Sequence, residues 1–240
     1  MKKYLVILLL FITFKGKAQN TATAPVLNDK AIVKDEDGNV LATILWRAYS
    51  KTGEYSFRYQ KEDNSFLIYK MTPEQKAVSD ERREAMLSSS ARPRPSNAFK
   101  DGDKFIGYKL TDLNGNKYDL KASQGKVIVI NFWFINCPPC KQEIPELNQL
   151  FIKYKDNKDV LFLAIALDDK FDLKQFTKIS PFLYNIVPDG RYFADKHGVT
   201  SYPTHLIVGK DGLIKFHTTG LAHNTVYWVD KTIKEQLATL

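Results

Sequence analysis

Residues 126–147 read KVIVINFWFINCPPCKQEIPEL and contain the only two cysteines of the chain, Cys137 and Cys140. KVIVINFWF is an apolar run of the kind expected from a strand buried on both faces. A helix is expected to follow across the cysteines to about Tyr154, with Ile144, Leu147, Leu150 and Phe151 along one face. Two thiols with two prolines between them have three readings. As a structural staple the pair is weak, because closing so small a loop constrains the unfolded chain very little. As half of a metal site it lacks partners. A structural zinc site needs four ligands, and His197, His205, His217 and His223 show no ligand-like spacing of three to five.

The redox reading has physical support at each step. At the start of a helix the first sulfur lies beside free backbone N–H groups and the positive end of the helix dipole, which favours thiolate over thiol. Helical geometry brings residues i and i+3 to one side, so the second sulfur can attack a mixed disulfide made by the first. Cys137 is therefore the expected nucleophile, accessible at the helix start. Cys140 is the expected resolving thiol, shielded one turn in.

Outward from this stretch the pattern is that of an α/β domain. VLFLAIAL (160–167) reads as a second buried strand, and KFDLKQFTKI (170–179) as a helix. RYFADKHGV (191–199) reads as a short helix ending at Gly198, and THLIVGKDGLIKFHTTG (204–220) as a hairpin through Asp211-Gly212. NTVYWVDKTIKEQLATL (224–240) is a closing amphipathic helix. Upstream, KFIGYKLTDLNGNKYDL (104–120) reads as a hairpin turning at Asn114-Gly115. Together these predict a mixed central sheet flanked by helices over residues 99–240.

Residues 19–87 are expected to form a small β-rich region ending in a helix. AIVKDEDGNVLATILW suggests a hairpin through Asp37-Gly38, and EYSFRYQKEDNSFLIY a second one. Thr72, Pro73 and Gln75 look like N-cap, first-turn proline and capping-box partner. SSSARPRPSNAF argues for a linker over residues 88–98. Residues 1–18 combine a basic start, an apolar run from Tyr4 to Phe14 and small residues at Gly16 and Ala18. They read as a cleaved secretory signal, with an uncleaved anchor as the alternative. The run is shorter than the roughly 20 residues of a spanning helix.

The formal charge of +8 includes four lysines of that leader; without them 31 Lys and Arg face 27 Asp and Glu, a net +4. No long basic run or zinc-finger spacing is present, which argues against nucleic acid as a partner.

GKVIVINFWFINCPPCKQEIPEL and GVTSYPTHLIVGKDGLI, in that order, resemble the thioredoxin superfamily, and more narrowly its TlpA/ResA-like exported thiol-disulfide oxidoreductases. The resemblance covers roughly residues 97–240. It implies a thioredoxin-like domain working without a cofactor or metal. Trp133 would lie beneath the active site, Pro145 would bend the active-site helix, and Pro203 would be a cis-proline facing the disulfide. Glu143, three residues after Cys140, matches the family's glutamate, while Asn131 stands where thioredoxin carries a buried aspartate. Asn136 and Tyr202 depart from the family's usual residues at positions bordering the substrate groove. With Trp133 and Pro203 they are the candidate substrate-binding residues, and Cys137, Cys140 and Glu143 the candidate catalytic ones.

The expected activity is reduction of protein disulfides in the periplasm. Pro138 and Pro139 have no N–H to donate to a Cys137 thiolate. A potential nearer thioredoxin's value of about −270 mV than a strong oxidant's of about −120 mV is therefore expected. The resemblance implies exported protein substrates, apocytochrome thiols in cytochrome c maturation being one option. It also implies a membrane thiol electron donor, and with it transient membrane association. A thiol peroxidase and a copper metallochaperone using the thiols with His205 or another histidine are the alternatives.

Overall fold

The computed structural model describes residues 25–121 and 125–239. The leader read over residues 1–18 lies outside the described residues. The chain divides into two units, Met1–Ser79 and Asp80–Leu240.

In the first unit, strands β1 (Val33–Lys34), β2 (Tyr55–Gln60) and β3 (Ser65–Lys70) form a sheet in the order β1-β3-β2. The alternating aromatics of β2 and β3 do form an antiparallel hairpin, with Phe57 opposite Ile68 and Tyr59 opposite Phe66. Val33, Trp46, Phe66 and Ile68 make a small core. The hairpin expected through Asp37-Gly38 is only half formed. Its turn closes, the Asp35 carboxylate accepting the N–H groups of Asp37 and Asn39 at 3.1 and 2.8 Å. The apolar run after it, however, becomes helix α1 (Thr43–Lys51) and not a strand. Trp46 reaches the core from that helix, and β1 pairs instead with β3, in parallel. Helix α2 (Pro73–Ser89) opens on the expected capping box. Gln75 N–H donates to Thr72 Oγ1, and Thr72 N–H to Gln75 Oε1.

The second unit contains the hairpin of β4 (Lys109–Thr111) and β5 (Lys117–Asp119). The Asp112 carboxylate closes its Asn114-Gly115 turn by accepting the N–H groups of Asn114 and Asn116. The main sheet comprises β6 (Val127–Trp133), β7 (Val160–Ala166), β8 (Asn185–Val187), β9 (Thr204–Val208) and β10 (Ile214–Thr219). Its order is β10-β9-β6-β7-β8, with β6, β7 and β8 parallel and β9 and β10 antiparallel to their neighbours. Strand β8 has no counterpart in the sequence reading, because three residues are too few to show a periodicity.

Every residue of β6 is buried. Val127, Val129 and Trp133 face one layer, with residues of helices α3 (Pro138–Tyr154), α4 (Lys170–Ile179) and α6 (Thr225–Ala238). Ile128, Ile130 and Phe132 face the other, with helix α5 (Arg191–Lys196) and residues 98–120. The unbroken apolar run is thus the middle of a sandwich.

Residues 91–96, inside the stretch read as a linker, lie along β10. Thr219 N–H and Thr218 Oγ1 both donate to the Arg94 carbonyl, at 3.1 and 2.7 Å. Ser96 N–H donates to Nδ1 of His217 at 3.1 Å. The Arg92 guanidinium stacks over Phe216 and Trp228. These contacts cover part of an edge that would otherwise be open to pairing.

Candidate active site

At the end of β6 the chain leaves the sheet through residues 134–136 and enters α3. The loop is pinned from two sides. Cys137 N–H donates to the Phe134 carbonyl at 3.2 Å, and Ile135 N–H donates to the Asp168 carboxylate at 2.8 Å. Cys137 is the N-cap of α3, and Pro138 and Pro139 occupy its first turn. Proline fits there because its missing N–H would have had no partner inside the helix. Cys140 N–H is the first available donor, and it points to Cys137 Sγ at 3.3 Å. The two sulfurs form a disulfide with Cα atoms 5.3 Å apart.

Both cysteines are covered in this oxidised state, Cys137 at 3% exposure and Cys140 at 1%. The expected contrast between an open Cys137 and a shielded Cys140 is therefore absent. Access at Cys137 is bounded by Asn136 and Pro138, both exposed.

Below the disulfide a polar group interrupts an apolar layer. Glu143, one turn past Cys140 on α3, is only 4% exposed and is not a solvated helix residue. Asn131 on β6 donates from Nδ2 to Glu143 Oε1 at 3.0 Å. His205 on β9 places Nε2 3.0 Å from Oε1 and 3.1 Å from Oε2. Asn131 and His205 are direct cross-strand partners, and Ala164 flanks Asn131 on β7. The three polar side chains are buried together: Asn131 and His205 are each 1% exposed. The Glu143 charge is felt at Tyr184, whose phenol lies well above its ordinary value, first through burial and second through that carboxylate.

The Tyr202–Pro203 peptide bond is cis. Tyr202 packs edge-on against Phe134 with ring centroids 5.5 Å apart, which links the cis-proline loop to the loop before Cys137. Of the four candidate substrate residues, Asn136 is exposed, Tyr202 half-buried and Pro203 buried. Trp133 is fully buried, in the same apolar cluster as both cysteines and against Phe176 and Phe182. That corrects its place among the substrate-binding residues, since a side chain without exposed surface supports the site from below.

Asp168, Tyr184 and the pairing of His205 with Glu143 were not read from the sequence. A helical i+3 spacing could flag Glu143. The meeting of residues 131 and 205, 74 positions apart, depends on strand register. Among the described residues no group of three or more His, Cys, Asp or Glu is arranged to hold a metal ion.

Residues 102–217 match the AhpC/TSA family model. A Halalkalibacterium halodurans protein named thiol-disulfide oxidoreductase ResA is 28% identical over 149 residues, covering 59% of this chain and 85% of its own. A ResA of Bacillus thuringiensis subsp. konkukian is 34% identical over 115 residues, covering 47% of this chain and 66% of its own. The crystal structure of a Chlorobium tepidum protein described as a thiol:disulfide interchange protein DsbE matches with a TM-score of 0.53 at 25% identity. That match covers 58% of this chain and 99% of the other. The chain has a thioredoxin-like fold and is similar to these thiol-disulfide oxidoreductases. The ResA-like relatives fit what the disulfide at the start of α3 can do, which is exchange electrons as thiol and disulfide. No helix among the described residues is long and apolar enough to cross a membrane.

Proposed function

We propose that this oxidoreductase works as an exported reductant of protein disulfides, with Cys137 as nucleophile and Cys140 as resolving thiol. The observation that carries the direction is the donor set of Cys137. Pro138 and Pro139 supply no N–H, so among the described residues the donor to its sulfur is the single N–H of Cys140. A thiolate held by one donor is less stabilised than one held by several, and its dithiol gives up electrons more readily.

Cys137 thiolate attacks a substrate disulfide and forms a mixed disulfide. Cys140 then loses its proton, with Glu143 one helical turn away as the acceptor, and attacks Cys137 Sγ. The internal disulfide forms and the substrate leaves reduced by two electrons. Asn136, Tyr202 and Pro203 border the approach to the sulfurs. Export to the periplasm is supported by the leader-like composition of residues 1–18, with membrane anchoring through that stretch as the alternative. Continued turnover requires a thiol donor at the membrane, and exported proteins with disulfides are the substrate class.

Insulin disulfide reduction tests the assignment. Cys137→Ser abolishes it, and Cys140→Ser accumulates a mixed disulfide on Cys137 that captures partners in cells. A Cys137→Ser protein that still reduces insulin overturns the roles. Peroxide consumption faster than insulin reduction would make the protein a peroxidase.

A further inference from the structure

The buried contact between His205 and Glu143 has chemistry beyond holding the sheet to the helix. His205 lies on the sheet face that α3 covers, in a row with Asn131 on β6 and Thr218 on β10. Neither of those side chains titrates near neutral pH. The residues α6 buries are Thr225, Val229, Thr232 and Ile233, all uncharged. The titratable groups set against this row are Glu143 and the two cysteines of α3, with the Tyr184 phenol sensing the Glu143 charge. Glu143 is thus the acid whose carboxylate His205 meets.

We propose that His205 is a positioning and proton-sharing residue for the Cys140 step, holding the Glu143 carboxylate and taking part of the proton it receives. This rests on the reading that Glu143 accepts the proton of Cys140. Two geometric facts carry the inference. Nε2 of His205 is within hydrogen-bond distance of both Glu143 oxygens, and Asn131 Nδ2 fixes one of them from the neighbouring strand. The N–O contact also serves either protonation state. With the hydrogen on nitrogen it is N–H donating to carboxylate; with the hydrogen on oxygen it is O–H donating to imidazole nitrogen. A proton can cross it with no movement of heavy atoms. Cys140 S–H gives its proton to Glu143, and the hydrogen is shared across to His205. The Cys140 sulfur bonds to Cys137 Sγ, the Cys137–substrate bond breaks, and its electron pair leaves on the substrate thiolate.

The test follows ring closure in the full-length protein, by stopped-flow release of a chromophoric thiol from a mixed disulfide on Cys137, across pH 5 to 9. Glu143→Gln, His205→Gln and His205→Leu are compared with wild type, with thermal melts of each. General acid–base groups contribute about a hundredfold or more. Glu143→Gln should slow closure on that scale. His205→Gln, which can donate to Glu143 but cannot take up a proton, should slow it about tenfold and change the pH profile. If both His205 variants close at the wild-type rate with the wild-type profile while Glu143→Gln is slow, the role of His205 is overturned and that of Glu143 stands. If His205→Gln matches wild type and His205→Leu alone is slow with an unchanged profile, His205 only positions, and proton sharing is overturned. If Glu143→Gln closes as wild type does, the proton-acceptor reading of Glu143 fails, and the proposal with it.

Discussion

At the scale of single residues, the site depends on who supplies each hydrogen bond. Two prolines after Cys137 remove two donors, so among the described residues the N–H of Cys140 alone carries the contact to sulfur. Asp168 does the complementary work one strand away, accepting the Ile135 N–H and fixing the loop that presents Cys137. A hydrogen bond to a charged acceptor contributes about 1.5–3 kcal/mol, and 1.4 kcal/mol is a factor of ten in an equilibrium. Asp168→Ala should therefore raise hydrogen exchange of the Ile135 amide about tenfold or more, and slow insulin reduction. Amide exchange by NMR checks it. An unchanged Ile135 amide would show that the loop is held by its other contacts.

At the scale of elements, residues 91–96 behave as an added edge on β10, and one of their contacts is pH-sensitive. Ser96 N–H donates to Nδ1 of His217, which must be unprotonated to accept. Burial pushes the His217 imidazole below its ordinary value, the Asp101 carboxylate opposing and Arg92 assisting. A base with a depressed folded value stabilises the fold above its unfolded value, near 6.5, and that contribution is lost as pH falls through the lower folded value. The contact should weaken as the pH falls below 6.5 and through the lower folded value. The Ser96 and Thr219 amide resonances should then shift together, whereas in His217→Gln they should stay constant. Movement of these resonances in the Gln variant as well would place the titration elsewhere.

Gly107 marks a second constraint at this scale. A Cβ there would lie 2.3 Å from the Leu120 backbone carbon, so the β4–β5 segment can approach only a residue without a side chain. Overpacking of this kind costs about 1–3 kcal/mol, and Gly107→Ala should lower the melting temperature by several degrees in calorimetry.

For the whole molecule, the disulfide and the Glu143, Asn131 and His205 group sit in Asp80–Leu240, while Met1–Ser79 has its own small core around Trp46. Units with separate cores can work separately. A chain beginning at Met71, which keeps helix α2 intact, should reduce insulin to within about twofold of the full-length rate. A loss of tenfold would give the N-terminal unit a part in the reaction.

The local chemistry of this chain was legible in the linear sequence. The C-x-x-C at a strand-to-helix junction, the glycine turns at Asn114-Gly115 and Asp211-Gly212, and the double-faced apolar runs each depend on near neighbours, and each appears where expected. Folding decided the remainder through pairing at a distance. Helix α1 replaced a strand because β1 found β3, and the proline-rich stretch lay down on β10 because that edge offered Thr218, Thr219 and His217. The polar group under the disulfide exists because antiparallel register sets residue 131 opposite residue 205 and α3 lowers Glu143 onto both. Register and helix docking are set by burial across the whole sheet, which no short stretch of sequence contains.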